Sequence, residues 1–229
     1  MDEEKGLVSG CAHFITGDYK CHATFLPDKE YGMVLDNVVK ACCDILVVHA
    51  GKVCLGKRNV YPQKDWWYGC GGRMRPGDSP ATSVSKLLKR ECGISISNDQ
   101  FHRIKKVGAY SYVWRLRQQD PVDHGTADIS VVHTITITDE EKANLKVDRG
   151  EYDEVAWIDP EAVVENDKFH PALRRSVADL LRMQQEAELF ALVSNGAPDN
   201  EVATMCRNFV SFCHKIAAND NIEIQVDDH

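Results

Sequence analysis

The stretch Gly71-Gly72-Arg73-Met74-Arg75-Pro76-Gly77-Asp78-Ser79-Pro80, followed by Ala81 to Cys92 and then Gly93-Ile94, carries the residue types best suited to chemistry. Two adjacent glycines let the backbone come close to a ligand or a metal, and Gly77 permits a turn. Ser79 and Pro80 read as the N-cap and first-turn proline of a helix running to Gly93. Within that helix Val84, Leu87, Leu88 and Glu91 share one face by i, i+3, i+4 and i+7 spacing. A carboxylate at the edge of an apolar stripe calls for a cation. Either a metal ion or a Lys or Arg of the same helix supplies one. Lys86, Lys89 and Arg90 are read as a solvated helix face.

The elements that must position this loop and helix are short. Tyr31, Val34, Leu35, Val38 and Val39 recur near the helical period, which predicts a helix across Asp28 to Val39 packed on a sheet. Asp44 to His49 and Lys52 to Gly56, split by Ala50-Gly51, predict a hairpin. Gly108 to Arg117 and Ala127 to Ile137 alternate as two longer strands joined by the polar loop Gln118 to Thr126, and Glu154 to Ile158 is a further strand. His124 and His133 are read as structural, with His133 on the sheet's solvent face. After Pro171, Leu173, Val177, Leu180 and Leu181 begin a helical stripe that Asn195-Gly196-Ala197-Pro198 stops. A second helix from about Asn200 to Ala217 carries Val202, Met205, Phe209, Phe212 and Ile216 on one face. Such a helical hairpin packs on its own domain or on a partner subunit.

With 229 residues, 43% apolar and 27% charged, the chain is long and apolar enough for one compact domain with extra elements. Lys+Arg 27 against Asp+Glu 35 leaves a formal charge of -8, which opposes attraction to phosphate backbones. A nucleic-acid polymer is therefore not an expected partner, although a nucleotide in a local basic pocket is compatible with this charge. No apolar run approaches the roughly 18 to 20 residues that span a bilayer, and the start, MDEEKGLVSGC, is acidic. A soluble cytoplasmic protein without membrane contact is expected. The nine cysteines are an odd number without CxxC spacing, so reduced thiols are expected, with Cys42, Cys43 and Cys54 buried as small hydrophobes.

The loop-helix-loop resembles the Nudix box, whose pattern is G, five residues, E, seven residues, R-E-U, one residue, E-E, one residue, G-U. Gly72, Asp78, Lys86, Leu88, Glu91, Gly93 and Ile94 fall in register, with Asp for Glu and Lys for Arg. Leu87 and Arg90 stand where the family has glutamates. The chain is similar to the GDP-mannose mannosyl hydrolase branch of the Nudix hydrolase superfamily, which also has Leu at the first of these positions. The resemblance covers roughly Leu26 to His170. It includes Asp44-Ile45-Leu46-Val47, Leu55-Gly56-Lys57-Arg58, Pro62, Trp66-Trp67, Gly71-Gly72-Arg73 and Asp153-Glu154-Val155-Ala156-Trp157-Ile158.

That resemblance implies an α/β fold of the Nudix type: an α/β/α sandwich with a mixed β-sheet, plus a C-terminal helical extension. The implied organisation is an N-terminal segment 1–25, a Nudix domain 26–170, a helical extension 171–218 and a flexible tail 219–229. It also implies a Mg²⁺ or Mn²⁺ ion held by the Gly71 carbonyl, Glu91 and Glu151, with Arg58 and Arg73 on the diphosphate. Asp44 would lie near the sugar-nucleotide, and Trp66 and Trp67 would shape the pocket or anchor the core. Tyr152 occupies the place of the family's catalytic His, so Asp153, Glu154 or His124 are the alternative bases, and Leu116 and Ser130 mark two further altered positions. The implied activity is metal-dependent hydrolysis of a nucleoside-diphosphate sugar at the anomeric carbon, by a homodimer. Two alternatives stand beside it: a diverged Nudix-fold module that binds a nucleotide or a protein, and ordinary pyrophosphohydrolysis with an acid from outside the box.

Overall fold

The computed structural model describes residues 11–147, 149–218, 224 and 226. Part of the expected N-terminal segment, residues 1–10, and all of the expected tail except 224 and 226 lie outside the described residues. The chain forms two compact units, Met1–Asp159 and Pro160–His229.

In the first unit the order is α1 (Asp28–Leu35), β1 (Lys40–His49), β2 (Lys52–Arg58), β3 (Trp67–Tyr68), β4 (Cys70–Arg73), α2 (Pro80–Cys92), β5 (Lys105–Trp114), β6 (Thr126–Thr136), α3 (Asp139–Ala143) and β7 (Tyr152–Ile158). The seven strands make one mixed sheet in the order β3-β2-β1-β6-β5, with β4 also pairing β1 and β7 pairing β2. Among the described residues only β1 and β6 run parallel; the remaining pairings are antiparallel. This is the α/β class with the mixed sheet that the sequence predicts.

Helix α2 forms for local reasons. Ser79 Oγ accepts the Thr82 N–H at 3.1 Å, Pro80 opens the first turn, and Gly93 closes the helix at φ 71°, a left-handed conformation that costs glycine little. Its apolar face, Val84, Leu87 and Leu88, packs with Cys43, Ile45 and Val47 of β1 and with Ile94, Ile96, Ile104, Ile135 and Ile137. Each such aliphatic side chain contributes roughly 1.5–3 kcal/mol on burial. Leu87 thus fills core volume at a position where the resembling family carries a charge.

Two expectations are corrected. His133 is not on a solvent face: it is 2% exposed, and burial pushes its imidazole down to about 4. Val132 to Ile135 are buried without interruption because β6 lies between β1 and β5 in the interior of the sheet, so alternation gives no outward face there. Helix α1 ends at Leu35, and Val38 and Val39 are exposed, so no apolar stripe runs to residue 39. Its end is held instead by charge: the buried Arg117 guanidinium donates to Asp36 Oδ1 at 2.6 Å, to Gly125 O at 3.1 Å and to Gln119 O at 3.0 Å. The basic face of α2 is exposed at Lys86, Lys89 and Arg90, as expected, and two of these residues also form ion pairs. Lys86 Nζ meets both Asp78 oxygens at 2.7 and 2.8 Å, and Arg90 is engaged as described below. Cys42, Cys43 and Cys54 are buried as expected, with burial pushing each thiol up to about 12.

The second unit holds α4 (Pro160–Glu165), α5 (Pro171–Ser194) and α6 (Asp199–Ala218). The two predicted C-terminal helices are α5 and α6. Leu173, Val177 and Leu180 of α5 are buried, and among the described residues no helix is long and apolar enough to cross a membrane.

Candidate functional site

Glu91 is 0% exposed, and its surroundings define the site. An ionised carboxylate in such a place must be satisfied by several donors. Oε2 accepts the Gly71 N–H at 3.0 Å and the Tyr152 hydroxyl at 3.0 Å. Oε1 accepts from an Arg90 terminal nitrogen, and that same nitrogen donates to the Gly71 carbonyl at 3.3 Å. Burial pushes Glu91 above the ordinary carboxylate range, while the Arg90 charge and the hydrogen bonds from Arg90 and Gly71 pull it back.

Each partner is delivered by a different element. Gly71, on β4, lies opposite Asp44 of β1, and a Cβ on it would run into Asp44 Oδ1 and the Cys43 carbonyl, 2.8 Å away. Only glycine allows that approach. Tyr152 begins β7 opposite Arg58, the last residue of β2. A Cβ on Gly56 would enter the Tyr152 ring, so the space for that ring depends on glycine as well. The Arg58 guanidinium donates to Glu151 Oε2 at 3.1 Å, to the Tyr152 hydroxyl at 3.4 Å and to Pro62 O at 3.2 Å. Burial, together with the negative charge of Glu91, pushes the Tyr152 phenol well above its usual value, so it serves as a hydrogen-bond donor rather than as a base.

Asp44 sits on the other side of Gly71. Burial, reinforced by the charges of Asp128 and Glu91, pushes its carboxyl up to about 6, against the pull of the neighbouring Ser130 hydroxyl and, more weakly, of Arg58. Beyond it, Asp128 receives the Trp114 indole N–H at 3.1 Å and pairs with Lys40 at 3.0 Å, while Tyr112 stacks on Trp114 with ring centroids 5.5 Å apart.

The structure therefore gathers six of the sequence-predicted residues, Gly71, Glu91, Glu151, Arg58, Tyr152 and Asp44, and leaves others apart. His124 Nδ1 lies 3.1 Å from Asp36 Oδ2 at the end of α1. Asp153 accepts the Asn59 amide at 2.9 Å on the surface, and Glu154 lies 3.8 Å from Lys57. The Arg73 guanidinium covers the Tyr31 ring at 4.7 Å. Trp66 and Trp67 are half-buried beside β2, the Trp66 carbonyl accepting the Arg58 N–H at 2.9 Å. Sequence reasoning missed Arg90, Asp128 and Tyr112 as site residues. For Arg90 the signal was present as a charge reversal at a position where the resembling pattern is acidic.

The donors expected for a divalent ion are the Gly71 carbonyl, Glu91 and Glu151. They are hard oxygens of the right type for Mg²⁺ or Mn²⁺. As arranged they do not fit one. Arg90 bridges the first two, Arg58 holds the third, and among the described residues no three His, Cys, Asp or Glu side chains converge for a metal.

Comparison with known proteins adds the following. The family model described as NUDIX domain matches residues 40–180. The low-salt glycan biosynthesis protein Agl8 of Haloferax volcanii is 21% identical over 125 residues, which cover 55% of this chain and 74% of that protein. The crystal structure of a MutT/nudix family protein from Enterococcus faecalis is 22% identical, with a TM-score of 0.41, and the match covers 53% of this chain and 44% of that chain. The chain thus spans less than half of that protein. The MutT NUDIX hydrolase from Burkholderia pseudomallei is 16% identical, with a TM-score of 0.49, over 62% of this chain and 98% of its own.

Proposed function

The chain belongs to the NUDIX domain family, a family of hydrolases, and from that premise we propose that it hydrolyses a nucleoside-diphosphate sugar at the anomeric carbon. The observation that carries this reading is the exchange of acid for base around Glu91: Arg90 and Arg58 flank a lone buried glutamate, with the protonatable Asp44 across Gly71.

The charges favour carbon over phosphorus as the point of attack. Water approaching a diphosphate phosphorus meets a concentrated negative charge that metal ions ordinarily neutralise. Attack at an anomeric carbon passes through an oxocarbenium-like state, and the charge to be stabilised there builds on the leaving diphosphate. Guanidinium groups suit that task, because their planar donors match phosphate oxygens. In the proposed step water bonds to the anomeric carbon and gives its proton to the Asp44 carboxylate. The bond from carbon to the bridging oxygen breaks, and its electron pair departs with the nucleoside diphosphate. Asp44, with a pKa near 6, is ionised at neutral pH and close enough to it to take a proton. The glycan-biosynthesis name of the Haloferax relative supports a sugar-bearing substrate.

Engagement of both Glu91 oxygens by donors of the protein itself favours a second reading, a module that binds the nucleotide without turnover. A panel of GDP-, UDP- and ADP-sugars with product analysis separates the readings. Free sugar plus nucleoside diphosphate is expected. Nucleoside monophosphate plus sugar phosphate would instead mean pyrophosphohydrolysis, and binding without products would select the module.

A further inference from the structure

The donor set that a divalent ion would need is already spanned by a cation of the protein itself. We propose that the Arg90 guanidinium is the resident cation of this site, taking the place of a metal ion on Gly71 O and Glu91 and binding diphosphate oxygens directly.

Four observations converge. One Arg90 nitrogen contacts both the Gly71 carbonyl and Glu91 Oε1, so a single positive centre bridges two of the three expected metal donors. The other Glu91 oxygen is saturated by the Gly71 N–H and the Tyr152 hydroxyl, both at 3.0 Å, which leaves that carboxylate little capacity for a metal ion. A Cβ on Gly72 would lie 3.0 Å from the Arg90 nitrogen and 3.2 Å from Leu87 Cδ2, so a glycine makes the room that the guanidinium uses. Two further acids nearby are likewise paired with a base: Glu151 with Arg58 at 3.1 Å, and Asp78 with Lys86 at 2.7 Å. The region is a lattice of ion pairs rather than a nest of carboxylates.

Arg90 is also built to do more than pair. Residues i and i+1 of a helix do not face each other, so its side chain must fold back toward β4 to reach Glu91 and Gly71. Its side chain stays 55% exposed, and both of its bonds use the same terminal nitrogen. The Nε–H and the second terminal nitrogen have no partner among the described residues, which leaves a two-pronged donor edge of the kind that grips phosphate. Glu91 then acts as a positioning residue that fixes the guanidinium through its bonded nitrogen.

The inference concerns which cation the site holds, whatever the substrate, so its test avoids turnover. The probes are MnCl2 alone, followed by electron paramagnetic resonance, and inorganic pyrophosphate in EDTA, followed by calorimetry. Wild-type protein is expected to bind no saturable Mn²⁺, while Arg90→Glu, which puts a second carboxylate beside Glu91, gains one Mn²⁺ site. Pyrophosphate is expected to bind wild-type protein in EDTA and to weaken at least about tenfold in Arg90→Gln, in line with loss of a charge-assisted pair. Both variants take the cation away from the buried Glu91 carboxylate and are expected to melt lower than wild type, so binding is read well below each variant's melting temperature. One tightly held Mn²⁺ on the wild type, or unchanged pyrophosphate binding in Arg90→Gln, overturns the proposal. If the sugar panel yields no products while pyrophosphate binding follows Arg90, the hydrolase reading fails and this one stands.

Discussion

Arg103 and Glu141 join two surface segments through bonds of 2.8 and 2.6 Å, with about a fifth of each side chain exposed (20% and 21%). The Arg103 hydrogen bonds hold Glu141 below the ordinary carboxylate range, and Glu141 also completes the capping box at Thr138. Arg90 and Glu91 are the same two residue types, yet burial pushes Glu91 in the opposite direction. Each carboxylate collects three donors: Glu141 takes two from Arg103 and one from the Thr138 N–H, whereas Glu91 takes one from Arg90 and the others from the Gly71 N–H and the Tyr152 hydroxyl. The first pair is a tie between segments. The second depends on three elements at once, α2, β4 and β7, and it leaves part of its cation facing outward.

The sharpest way to break this contrast is Glu91→Gln. The new amide nitrogen is a donor facing other donors, and a loss of about 2–3 kcal/mol in denaturant-measured stability is expected. A loss as small as that of a surface pair would erase the distinction between the two.

Comparable in size is Asp44→Asn. The Asp44 carboxyl is raised from 3.8 to about 6 on folding, so the folded state holds this proton more tightly than the unfolded chain. Its contribution is fully present below about pH 4 and is lost as pH rises to about 6. The variant should therefore gain on wild type across that window, reaching about 3 kcal/mol at neutral pH. His133, depressed to about 4 from 6.5, works with the opposite sign: its contribution is lost as pH falls from 6.5 toward 4. For that reason the difference between variant and wild type is the quantity to measure, by thermal melts from pH 4 to 7. A flat difference would remove the raised Asp44.

Glu141→Gln should cost about 1 kcal/mol, less in high salt, since its pair is partly solvated. Lys86→Ala, which removes an exposed pair with Asp78, should fall within about 0.5 kcal/mol of wild type in the same assay.

How far each part was legible follows from how local its causes are. Helix α2 could be read because Ser79, Pro80, the apolar stripe and Gly93 lie within fifteen consecutive residues. The strands β3 and β4, two and four residues long, could not, because they exist through pairing with β2 and β1 rather than through any pattern of their own. His133 was misread because alternation marks a half-buried strand, and the last part of β6 is covered on both faces. Helix α1 was read too long because its end depends on Arg117, some eighty residues away (|i−j| 81 to Asp36).

By itself the sequence determined the box helix and the need of Glu91 for a cation, which follow from short-range spacing, and, through the resemblance to the Nudix box, the α/β class. The tertiary structure decided which cation answers that need. It did so because only the packing of β4 against α2 brings the Gly71 carbonyl within reach of Arg90, and only β7 brings Tyr152 to the other oxygen. Electrostatic demand is written in residue types, but its satisfaction depends on distances between segments far apart in the chain.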